Sequence, residues 1–150
     1  MKHLNHHSSL LEALISNLNH QPKSMNRSHF NEQHLLDKEW LSKLSFYKDE
    51  LSVLRNRLTE VAQKYTDKEI KMQVSHFENQ LIIQAEKLDE IKHEINVLET
   101  TIEQSVLQNP TAADRRSFPE QDQLADSVNT YEKLFLELRQ EMNKFFAKNM

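Results

Sequence analysis

Residues 61–70 read V-A-Q-K-Y-T-D-K-E-I, and the spacing inside them decides the fold. Upstream, apolar residues recur at Trp40, Leu44, Tyr47, Leu51, Leu54, Leu58, Val61 and Tyr65, in steps that alternate four and three. Downstream the same rhythm runs through Ile70, Val74, Phe77, Leu81, Gln84, Leu88, Ile91, Ile95, Leu98 and Ile102, with Gln84 its one polar member. Between Tyr65 and Ile70 the step is five, so one helix cannot carry both patterns in register. Thr66-Asp67-Lys68-Glu69 fits a capping box, in which a Ser or Thr hydroxyl and a Glu side chain each satisfy a free helix N–H. The stretch therefore predicts a tight turn near 65–67 joining two antiparallel helices, about 32–65 and 67–107.

A third pattern runs through Leu124, Val128, Tyr131, Phe135, Leu138, Met142 and Phe145. Asn109-Pro110 through Phe118-Pro119 interrupts the second helix and forms a loop. The third helix is expected at about 120–147, with Pro119 or Glu120 in its first turn, where a missing N–H costs nothing. A sustained repeat of 3.5 residues means long helices packed at a shallow angle. The fold class is thus all-α: an elongated, antiparallel, coiled-coil-like three-helix bundle over residues 32–150. In general shape this is similar to spectrin-like three-helix modules, a likeness of architecture that transfers no function.

Residues 1–31 are rich in His, Asn and Ser and read as a flexible N-terminal segment. Within it, Ser9-Leu10-Leu11-Glu12 fits another capping box, and Leu10, Leu11, Leu14, Ile15 and Leu18 share one helical face. A short amphipathic helix is expected over 9–19, followed by a linker over 19–31. Leu11, Leu14 and Ile15 are the candidate docking residues, either for another protein or as a lid over the bundle.

Composition removes several function classes. Glycine is absent from the 150 residues, where average usage gives roughly ten. Phosphate-cradling loops, dinucleotide fingerprints and nucleophile elbows need glycine where backbone turns sharply or touches a ligand. Cysteine is absent too, which excludes thiol nucleophiles, thiolate metal sites and disulfides. The formal charge is −4 with acids and bases interleaved, so no basic face invites nucleic acid. No apolar run approaches the roughly 18 residues that span a bilayer, and Met1–His7 lacks a signal-peptide pattern. A cytoplasmic location is expected, with no small-molecule substrate and no cofactor.

Glu90-Ile91-Lys92-His93 is an E-x-x-H, the spacing that holds di-iron centres when it projects into a bundle core. With Leu88 and Ile91 in the seam, Glu90 and His93 point outward, so the match reads as a solvated helix face. His3, His6 and His7 offer imidazoles to a divalent metal, but no carboxylate lies near them in sequence. These five residues support the alternative of a metal-binding or sensing bundle, across a dimer in the case of Glu90 and His93. No seam position in any helix is Asp, Glu or His, so no buried titratable pair is expected and catalysis is not. Gln84 either fixes register within the seam or reaches water at its edge. Ser117 behind Arg115-Arg116 resembles a phosphorylation context. Peripheral membrane binding through 9–19 is disfavoured, because its polar face lacks Lys and Arg.

Phe46, Val53, Ile82 and Ile83 fall off the seam and are the candidate contact surface, since contiguous exposed apolar surface marks interaction sites. If the third helix folds straight back, Phe145 lies near residue 82 and the hairpin over 51–81 lacks a third partner. Either a second copy pairing tip to tip or the face of Leu10, Leu11, Leu14, Ile15 and Leu18 is then expected to cover it, unless the loop at 108–119 shifts the third helix toward the tip. The sequence reads as a non-enzymatic helical scaffold whose partner is another protein or itself, as a homodimer.

Overall fold

The computed structural model describes residues 10–16, 27–111 and 119–150, with side chains from Glu32 onward in the second stretch. His3, His6, His7, Leu18 and Ser117 lie outside the described residues. The described chain is all-α: a short helix α1 (10–16) and three long packed helices, α2 (Arg27–Lys64), α3 (Lys68–Gln108) and α4 (Pro119–Asn149). The long helices lie within a few residues of their expected bounds. The largest difference is the start of α2, five residues before residue 32. Among the described residues no backbone φ is positive, in keeping with a chain without glycine, the residue that adopts such angles most readily.

The turn that decides the fold is capped one residue later than the sequence suggests. The Asp67 carboxylate Oδ1 accepts the Glu69 N–H at 2.8 Å, and the Asp67 carbonyl accepts the Lys71 N–H at 3.0 Å. Asp67, not Thr66, is therefore the residue that caps α3. Asp and Thr both suit the position, and the register of Ile70 and Val74 selects between them. Pro119 is the first residue of α4, where its fixed φ suits a helix start.

The chain divides into two compact units. The first comprises residues up to Ser42 with Ile91–Asp126. Its core is Trp40, Ile91, Ile95, Leu98, Ile102, Val106 and Leu124, together with Leu11 and Ile15 of α1. The second comprises Lys43–Glu90 with Ser127–Met150. It is built on aromatic contacts: Tyr47 lies 4.6 Å from Phe135, and Phe77 lies 5.2 Å from Phe145. Tilted rings at such separations gain more than their buried area alone.

The contact of Phe145 with Phe77 corrects the expected tip. Phe145 packs about five residues nearer the turn than a straight fold-back places it, roughly 7.5 Å along a helix. Arg57 also lies over the Phe146 ring, 5.8 Å from its centre. Leu58, Val61, Val74 and Phe77 are consequently buried. The stripe is reached by α4 itself, as the shifted third helix would have it, and not left for a second copy or the N-terminal helix. Tyr65 and Ile70, beside the turn, are the seam residues left partly exposed.

Candidate functional site

The first unit holds a buried acid–histidine cluster beneath α1. His34 and Lys38 stand one turn apart on α2, with Asp37 between them. Glu12 of α1 accepts from both, at 3.3 Å from His34 Nε2 and in a close ion pair with Lys38. On its other side His34 Nδ1 lies 3.4 Å from Glu99 Oε1 of α3, an ionic contact outside good hydrogen-bond alignment. Gln121 of α4 donates to Asp37 Oδ1 at 3.4 Å, while Asp37 Oδ2 has no hydrogen-bond partner. Asp37 is fully buried and Glu99 is 1% exposed. Four helices thus converge on one imidazole and three carboxylates.

Electrostatics assigns the protons. Pairing with Glu99 raises the His34 pKa; burial opposes this, and Glu12 adds to it. Lys38, then His34, lower the Glu12 pKa. Desolvation, reinforced by the Glu99 charge, lifts the Asp37 carboxyl to about 7. A buried charge needs a partner. His34 is shared by Glu99 and Glu12, and Asp37 is left buried without an ion-pair partner, which is why its carboxyl holds a proton up to about pH 7.

This cluster overturns the expectation of a seam without titratable groups. Counting back from Trp40 by three gives Asp37, and by four more Gln33, and both are buried. The seam continues through polar residues that an apolar pattern cannot register. Extending the rhythm past its last apolar member is the signal that finds them. Glu99, beside Leu98, carries no such mark.

The E-x-x-H does not converge on anything. Glu90 and His93 are both exposed, and Glu90 pairs with Lys87 at 3.4 Å. His93 lines a surface groove of about 250 Å³ with Glu94, Val97, Thr101 and Gln123. Among the described residues no group of three or more His, Cys, Asp or Glu side chains is placed to hold a metal ion. Gln84 is buried, not at a wet edge, and its Oε1 has no hydrogen-bond partner.

Leu11 and Ile15 are buried and Leu14 is half-buried, so α1 is seated on its own unit. Phe46, Val53, Ile82 and Ile83 are each about half exposed, but they do not share one face. Lys43–Glu132 and Glu50–Arg139 ion pairs mark the side of α2 that meets α4. Phe46 and Val53 lie within about 60° of Glu50 around the helix, on that side. Leu136 of α4 is 40% exposed and lies about 40° from Glu132 and 60° from Arg139. It belongs with Phe46 and Val53, and the sequence reading missed it. Ile82 instead flanks the opposite groove, where Lys48, Ser52 and Arg55 meet Ala85 and Asp89. Ile83 points about 100° further round α3.

Tyr47 anchors the α2–α4 seam beneath Phe46, donating to Glu132 Oε1 at 2.6 Å. Burial and the Glu132 charge push the Tyr47 phenol up to about 12. That hydrogen bond, with help from Lys43, lowers the Glu132 pKa. No helix among the described residues is long and apolar enough to cross a membrane. No family model, curated protein or solved structure matches the chain.

Proposed function

We propose that this chain is a non-enzymatic helical interaction protein, acting in the cytoplasm on another protein or on a second copy of itself. One observation carries the reading. Phe46 and Leu136 stand exposed along the α2–α4 seam, between the Lys43–Glu132 and Glu50–Arg139 pairs, and exposed Val53 lies about one turn beyond Glu50 on α2. An apolar centre with a charged rim is the usual anatomy of a protein interface. Its base is rigid, because Tyr47 and Phe135 pack directly beneath. The buried cluster of the first unit lies under α1, not on the groove that His93 lines. It supports a structural role for those charges.

The test is affinity capture from the native host with the full chain and with a Phe46→Ser, Val53→Ser, Leu136→Ser variant. A partner, or the chain itself, recovered with the native protein and lost with the variant supports the reading. Recovery of nothing, or recovery unaffected by the variant, overturns it.

A further inference from the structure

The His34 ring is held between two carboxylates that belong to different helices. Glu12 of α1 meets Nε2 at 3.3 Å, and Glu99 of α3 meets Nδ1 at 3.4 Å. Asp37 and Lys38 accompany the ring on α2, Glu103 stands one turn beyond Glu99 on α3, and α4 brings the neutral amide of Gln121. The two carboxylates differ in what they can survive. Glu12 is half exposed and has Lys38 as a second cation. Glu99 is buried, and neither of its oxygens has a hydrogen-bond partner. When His34 is neutral, Glu99 is left as a buried charge without its counterion, a strongly unfavourable state. Asp37, also buried, becomes a second such charge when its carboxyl ionises.

Water relieves a stranded carboxylate, and one element can admit it without opening the core. α2, α3 and α4 contribute Trp40, Ile95, Leu98, Ile102 and Leu124 to the core of this unit. The described residues of α1 bury Leu11 and Ile15 alone, and Glu12 is the polar tie. We propose that α1 is a proton-operated latch: it is seated while His34 is charged and Asp37 is neutral, and it lifts off α2 when both groups lose their protons. Lifting uncovers Leu11 and Ile15 and lets water reach Glu99. This switch goes beyond the interaction reading and does not depend on it.

Both protons act in one direction. Pairing with Glu99 raises the His34 pKa above 6.5, and burial raises that of Asp37 to about 7. The seated state therefore binds both protons more tightly than the released state, and seating is lost as pH climbs past those values. Glu12 sets the acid limit: Lys38, then His34, lower its pKa from 4.5, so its ion pairs fail only below that value.

The test is hydrogen exchange on the full chain at pH 6 and pH 8.5, with each amide's rate corrected for the intrinsic effect of pH. Lifting of α1 reads out as loss of protection confined to residues 10–16. Protection there should fall at least about tenfold, the change that one unit of pKa difference produces, while residues 95–102 of α3 keep theirs. Equal protection of residues 10–16 at the two pH values overturns the latch. An equal loss in residues 95–102 overturns it too, because the cluster then governs the whole unit. A variant with Asp37→Asn and Glu99→Gln has no acid to strand at either position, so its residues 10–16 should stay protected at pH 8.5. A fall as large as in the native chain would refute the cluster as the cause. Should the variant not fold, the native-chain comparison decides by itself.

Discussion

Asp37 should make the first unit more stable in mild acid than in mild base. Its carboxyl is fully buried, and its pKa rises from 3.8 to about 7 on folding. Between those values the folded chain keeps a proton that the unfolded chain releases, so stability falls as pH rises. At about 1.4 kcal/mol per unit, the ceiling on the cost above pH 7 is about 4 kcal/mol. His34 acts in the same direction: its pKa is raised from 6.5, so its contribution is whole below 6.5 and is lost as pH climbs through the folded value. Glu12 acts oppositely: its pKa is lowered from 4.5, and its contribution disappears as pH falls below that range. On these three groups stability should therefore be greatest near about pH 4 to 4.5 and fall steadily above that. Asp37→Asn removes the titration while keeping an oxygen for Gln121. From pH 5 to pH 8 the variant should gain on the native chain by about 3 kcal/mol, two units at the same rate. Urea unfolding followed by circular dichroism at both pH values measures the gap. A gap of equal size at pH 5 and pH 8 would refute a protonated Asp37 and the charge assignment built on it.

Four further substitutions probe the packing. Tyr47→Phe removes a hydrogen bond to a charged acceptor and should cost about 1–3 kcal/mol in urea unfolding, with the Glu132 pKa moving back toward 4.5 in a carbon-13 titration. Gln84→Leu replaces a buried amide whose oxygen is unpartnered, and should raise stability by about 1–2 kcal/mol; a loss would mean that the amide has a structural partner. Asp67→Ala removes the α3 cap and should cost about 1 kcal/mol, whereas Thr66→Ala should cost much less, which thermal melts of the two variants compare.

The bundle was legible because its signal is redundant. The four–three rhythm repeats across three helices, and the break between Tyr65 and Ile70 forces a hairpin. What the rhythm cannot register is a polar residue that belongs to it. Asp37 and Gln33 continue the α2 seam toward its N-terminus, and the Gln121 side chain of α4 that meets Asp37 is announced by no local pattern. The cap shifted from Thr66 to Asp67 because two competent residues stood side by side. The candidate contact residues were read from apolar positions off the seam, yet that does not say which side of a helix meets which neighbour. The Glu50–Arg139 pair supplies that, grouping Phe46 and Val53 with Leu136 and separating them from Ile82.

The central claim is that the Phe46–Val53–Leu136 face is where another protein, or another copy, makes contact. Its most direct test is site-specific photo-crosslinking in the native host. A photoreactive aromatic residue is placed in turn at positions 46, 53 and 136, and at 72 and 82 as controls. Adducts of one defined mass at 46, 53 and 136, and none at 72 and 82, are the predicted result. Adducts at 82 but not at 46 would place the contact on the opposite groove, and no adducts at any position would contradict the interaction reading itself.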